Sequence, residues 1–235
     1  MNSTSNTVHR DGAILIFIHL VGLFYYFFFL IAFLLWHFPT SPDTINRAQA
    51  VVLYGSGIIL WCLSSLAHRV RCFLRGTNAI PGLNLERAGT LVLIYTTAVP
   101  LVVFEDGQHT YLRLVYLSGL TIAVVGVMAD IVAQPLYPFG NASAFRSSCL
   151  ALSLLALLPP IHVLHQSWPN PPTLATELLR LAGWNLLGAL GYLARVPERL
   201  GLVGGWKPSL YLMHLTLLWN GISYGRHIWD AAGRT

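Results

Sequence analysis

Val51-Val52-Leu53-Tyr54-Gly55-Ser56-Gly57-Ile58-Ile59-Leu60-Trp61-Cys62-Leu63-Ser64-Ser65-Leu66-Ala67-His68-Arg69-Val70 sets the fold. It is almost unbroken in apolar character, and about 20 such residues are what an α-helix needs to cross a bilayer. Arg69, Arg71 and Arg75 follow at its end and mark where the helix meets water. His68 lies inside that run, and an ionisable side chain within a membrane span is a functional-site candidate. Ser64 precedes it by four residues, so hydroxyl and imidazole share a helix face.

The whole chain repeats this character. Of its 235 residues, 55% are hydrophobic and only 10% charged, with a mean hydropathy of +0.61. A soluble domain carries about 25% charge. The composition is that of an all-α, multi-pass membrane protein, because helices pair every backbone group internally where no water can. The net charge of +5 is spread over short loops and does not point to nucleic acid. Cys62, Cys72 and Cys149 show neither metal nor disulfide spacing and read as thiols packed among helices.

Working outward, seven spans are predicted, over 13–36, 48–70, 86–104, 112–133, 147–164, 174–194 and 208–225. Pro39 and Pro42 close the first, Glu105-Asp106-Gly107 the third, and the fifth ends near Pro159-Pro160. The loop Gly76–Gly82 turns the chain between the second and third. Residues 1–12 read as a short cytoplasmic N-terminus, 13–225 as the membrane domain and 226–235 as a short tail. With Arg180 of span six set aside, nine Arg and Lys residues in the loops and at span ends fall on the N-terminal side and four on the other. The positive-inside rule then places the N-terminus in the cytoplasm and the C-terminus opposite, with the sequon Asn141-Ala142-Ser143 inside. The membrane itself, endoplasmic reticulum or plasma membrane, is not distinguished.

With that topology, Glu86 opens span three, Asp130 closes span four and His214 lies within the first two turns of span seven, all on the side of His68. Imidazole and carboxylate donors at one level suit zinc and also suit general acid–base chemistry. His19 in span one reads as a packed, hydrogen-bonded histidine facing the bundle, and His162 and His165 lie at the far end of span five.

These residues resemble the progestin and adipoQ receptor (PAQR) family, which includes adiponectin receptors and hemolysin III-type proteins. Ser64 through His68 and Cys72 look like its helix-two stretch, and Leu85-Glu86-Arg87-Ala88-Gly89 looks like its helix-three opening, with Glu for Asp. Ala194-Arg195-Val196-Pro197-Glu198-Arg199 is very similar to its Ala-Arg-Ile-Pro-Glu-Arg before helix seven, and His19-Leu20-Val21-Gly22 resembles a helix-one motif. The resemblance covers nearly the whole chain. It implies a seven-helix bundle, zinc near the cytoplasmic leaflet and a lipid cavity.

One departure matters. Aligning Trp206 and Ser209 with the family pattern puts Leu210 where the first helix-seven histidine belongs, so only His214 remains of that pair. A zinc set would be His68, His214 and Glu86, with Asp130 as an alternative carboxylate and Ser64 orienting the metal-bound water. The leading expectation is a membrane enzyme hydrolysing a ceramide-like amide or ester with zinc-bound water. One alternative is an acid-catalysed isoprenoid cyclase or isomerase without zinc, in which Glu86 or Asp130 protonates the substrate. Aromatics such as Phe24, Tyr25, Tyr26, Phe27, Tyr95, Trp184 and Trp219 would then stabilise a cation. A second alternative is a non-enzymatic lipid or steroid receptor.

Overall fold

The computed structural model describes all residues except 1–2, 38–40, 76–79, 106–109, 134–141, 171, 201–206 and 234–235. Pro39, most of the loop before span three, Asp106-Gly107, Asn141 of the sequon and Trp206 therefore lie outside the described residues.

Among the described residues every regular element is helical: α1 (Ser3–Trp36), α2 (Pro42–Arg75), α3 (Ile80–Glu105), α4 (Thr110–Ala133), α5 (Ala142–Ala156), α6 (Leu158–Gln166), α7 (Thr173–Ala194), α8 (Val196–Arg199) and α9 (Pro208–Ala232). Among the described residues five segments are long and apolar enough to cross a membrane: Gly12–Trp36, Asp43–Cys72, Leu83–Phe104, Tyr111–Ala133 and Ala144–Gln166. α7 and α9 are of membrane length too, about 33 and 38 Å at the standard rise, but carry charged and amide side chains. With α5 and α6 counted as one span and α8 as a connector, the chain is a seven-helix bundle.

The observed helices overrun most of the predicted spans because hydropathy marks the apolar stretch, whereas helix continues into the interfacial turns. Span five differs in kind. It breaks at Leu157, and Pro159 and Pro160 fall in the first turn of α6 rather than ending the span. Proline is tolerated there, since the first N–H groups of a helix have no intrahelical acceptor.

α2 is the central element and packs on α1, α3 and α9; α7 pairs with α9, and α4 and α5 lie against α3. The main core joins α1, α2 and α9 through the buried Tyr26, Tyr54 and Tyr224, with Tyr54 Oη donating to the Gly221 carbonyl at 2.6 Å. A smaller cluster of Leu91, Val124 and Leu152 ties α3, α4 and α5 together. Outward-facing Phe17, Phe24, Phe27 and Phe28 are all more than half exposed. This is expected of a bundle whose solvent is hydrocarbon.

Candidate polar site in the bundle

The α2–α3 contact builds the first half of the site. A Cβ on Gly57 would run into the Thr96 side chain, and one on Gly89 would run into Ser64 and meet the Trp61 Cα at 3.2 Å. Only glycine lets these two helices approach so closely. Ser64 occupies the gap, its hydroxyl donating to the Trp61 carbonyl at 2.8 Å. One turn beyond Ser64 on α2 stands His68, and one turn before Gly89 on α3 stands Glu86. Close approach therefore brings His68 Nε2 to 3.5 Å from Glu86 Oε2. Arg69 Nη2 takes the other carboxylate oxygen, Oε1, at 3.3 Å. Cys72 Sγ lies 3.8 Å from each ring nitrogen of His68.

The second half lies between α1 and α9. Position on α9 is set by the segment before it. Glu198 of α8 accepts hydrogen bonds from the Ser209 backbone N–H at 3.1 Å and from the Ser209 hydroxyl at 2.5 Å. A carboxylate is well placed at a helix N-terminus, where N–H groups are unpaired. Burial alone would push the Glu198 carboxyl up. The Ser209 hydroxyl, the backbone N–H groups of Glu198 and Ser209, and nearby Arg195 outweigh it and hold the group below its ordinary value. With α9 fixed at Ser209, His214 enters the core and is 5% exposed.

His214 faces His19 of α1, which is 1% exposed. Their ring centroids are 4.9 Å apart. Trp61 touches both, at 5.0 Å from His19 and 5.9 Å from His214. His19 Nδ1 lies 2.7 Å from the Leu15 carbonyl. A carbonyl only accepts, so Nδ1 carries the proton and Nε2 of the neutral ring presents a lone pair. That Nε2 is buried with no partner, and so is Nδ1 of His214. Such orphaned nitrogens are rare in interiors and call for an explanation. Trp61 of α2 touches both of these histidines, and its carbonyl accepts from Ser64 one turn before His68, so α2 joins the two pairs in one polar layer.

Against the sequence expectations, His68, Glu86 and His214 enter this layer, and Ser64 enters it as the spacer at the α2–α3 contact. Asp130 does not: it is exposed on α4, which packs on α3 and α5. Reading His19 as a packed histidine accounts for Nδ1 and leaves Nε2 unexplained. The aromatics named for cation stabilisation also lie elsewhere. Phe24, Phe27, Trp184 and Trp219 point outward, Tyr26 belongs to the tyrosine core, and Tyr95 meets Thr121. Trp61 is the aromatic that touches both His19 and His214. At the far end His162 is held by Tyr116 at 2.7 Å and Gln166 at 2.8 Å.

Zinc requires a closer gathering of donors. A catalytic zinc takes three protein ligands, each at about 2.0–2.2 Å. The free nitrogens of His19 and His214 are of the right chemistry. Yet among the described residues no three His, Cys, Asp or Glu side chains are grouped to hold one ion. The expected set is divided, with His68 against Glu86 and His214 against His19, while Leu210 leaves the turn before His214 apolar. As placed here, the donors stand in two pairs rather than in one set of three.

Known proteins share this architecture. Heptahelical transmembrane protein 1 of Arabidopsis thaliana is 28% identical over 225 residues, covering 88% of this chain and 65% of that protein. Heptahelical transmembrane protein ADIPOR3 of Oryza sativa subsp. japonica is 32% identical over 180 residues, 74% of this chain and 42% of that protein. ADIPOR2 of the same rice is 27% identical over 173 residues, 71% of each chain. The chain thus spans less than two thirds of the length of the first two. The pattern of the haemolysin-III related family matches residues 9–214, from α1 through His214 itself. The chain belongs to that family, the PAQR and hemolysin III-related group of multi-pass integral membrane proteins.

Proposed function

We propose that this protein is a membrane-embedded enzyme that hydrolyses an amide or ester of a membrane lipid, with His68 and Glu86 as its proton-transfer pair. The observation that carries this reading is the 3.5 Å approach of Glu86 Oε2 to His68 Nε2, with Arg69 on the other carboxylate oxygen. Arg69 anchors Glu86, and Glu86 orients the imidazole and stabilises its protonated form. His68 takes the proton from an attacking water and returns it to the leaving nitrogen or oxygen.

The second pair supports substrate recognition. His19 Nε2 is an acceptor with nothing to accept from. A hydroxyl or amide N–H of a ceramide-like lipid supplies such a donor. An acid-catalysed isoprenoid reaction is less well served. A carboxyl group that must donate a proton to an alkene is opposed by a guanidinium 3.3 Å away, and the outward aromatics cannot face a cation in the layer.

The test is turnover by the purified protein in lipid nanodiscs. N-acyl sphingoid amides and acyl esters are offered, and released fatty acid is measured by mass spectrometry. Release is expected, and its loss in both His68→Ala and Glu86→Gln. Saturable lipid binding without release would overturn the enzymatic reading in favour of a receptor.

A further inference from the structure

α7 and α9 carry polar side chains for which the layer around His68 has no use. Near the start of α7, Glu177 has both carboxylate oxygens engaged. Oε1 lies 3.6 Å from Arg180 Nη1, and Oε2 lies 3.5 Å from His227 Nε2 near the end of α9. Further along the same pair of helices, Asn220 Nδ2 donates to Asn185 Oδ1 at 3.2 Å. Ionisable and amide groups inside a span are costly, pair with one another and mark ligand paths.

Glu177, Arg180 and Asn220 border a cavity of about 700 Å3 between α7 and α9, whose walls include Trp184, Trp219 and Leu215. That volume lies within the usual range for small-molecule sites, about 300–1,000 Å3. The Trp184 and Trp219 walls are 51% and 72% exposed. They belong to the lipid-facing surface, so the occupant comes from the bilayer. Arg180 is the polar group that such an occupant meets. Its side chain is 67% exposed, and its 3.6 Å contact with Glu177 is an ion pair longer than a hydrogen bond. The guanidinium borders the cavity, loosely paired to Glu177 on one side, and its planar donor fork suits an anionic oxygen.

We propose that the α7–α9 cavity binds an acyl lipid by its anionic head group, a carboxylate or a phosphate, on Arg180, with the chain lying along Trp184, Trp219 and Leu215. This site is separate from the reaction proposed above and does not depend on it. The cavity extends to Leu218, whose side chain packs on Gly22, one turn from His19. A bound chain thus lies against the same α1–α9 contact that carries the two histidines.

The experiment uses the full chain in detergent micelles, titrated with dibrominated stearic acid, whose bromines quench tryptophan fluorescence on contact. Saturable quenching is expected. It should disappear in the Trp184→Phe/Trp219→Phe double variant and be much weaker with the uncharged methyl ester. Arg180→Gln should raise the half-maximal concentration about tenfold, the effect of losing one charge-assisted contact. Arg180→Lys should recover part of the loss. Competition with unlabelled phosphatidic acid and unlabelled oleate identifies the head group by which displaces better. Equal quenching by acid and ester, an unchanged titration in a well-folded Arg180→Gln protein, or displacement by neither competitor would overturn the proposal.

Discussion

His19 of α1 and His214 of α9 stand edge to face inside the bundle, ring centroids 4.9 Å apart and planes at 68°, each with one buried nitrogen that meets no partner. Neither helix alone contains this relationship. If the free nitrogens bind the polar part of a lipid, His19→Phe should keep the packing against Trp61 and lose the acceptor. Lipid turnover or binding is expected to fall by about tenfold, the effect of one lost hydrogen bond, while the melting temperature stays near that of the parent. The check is a pairing of turnover with thermal unfolding. A parent-like turnover would assign His19 to packing alone.

Gly89→Ala is expected to be disruptive out of proportion to its size. The added methyl would push on Ser64 and on the α2 backbone at Trp61, and overpacking of this kind costs about 1–3 kcal/mol. The same displacement would draw Glu86 away from His68, so activity should fall with stability. Gly119→Ala and Gly126→Ala on α4 are the controls. A Cβ there meets nothing within 4 Å, and alanine is the better helix former by up to about 1 kcal/mol. Thermal unfolding in detergent should show opposite signs for Gly89 and the α4 pair.

Leu210→His places an imidazole one turn before His214, on the same face of α9. It adds a donor of the type zinc prefers at the position where the PAQR pattern has one. Bound zinc after chelator treatment and re-equilibration, read by elemental mass spectrometry, should be substoichiometric in the parent and approach one ion per chain in Leu210→His. Full occupancy in the parent would mean that the two pairs close around a metal.

The Glu198–Ser209 contact predicts an acid-side dependence of stability. The folded-state carboxyl of Glu198 lies below its ordinary value of 4.5. Its contribution is therefore fully present above that value and is lost as pH falls through the lower folded-state value. Ser209→Ala removes the hydroxyl donor. Melting curves from about pH 6 to about pH 3 should show the parent more stable than Ser209→Ala at the upper end, with the difference shrinking toward the lower end. A constant difference would make the effect one of packing.

What depends on local periodicity and on the surrounding solvent is legible in the chain alone. Runs such as Val51–Val70 read as membrane helices, because about 20 apolar residues match a helical crossing and a helix pairs all its backbone groups within one segment. The 3.6-residue repeat put Ser64 and His68 on one face without reference to any other helix. The Ala194–Arg199 stretch, matched by pattern, has a physical task in Glu198, which caps α9 at Ser209 and sets the height of His214. The tertiary structure decided which faces meet. Glu86 reaches His68 because two glycines let α2 and α3 approach closely. Asp130 stays outside because α4 packs on α3 and α5, and His214 meets His19 and Trp61 within the layer. Register and rotation between helices come from interlocking side chains across contacts distant in sequence, and a single-helix pattern carries no information about them.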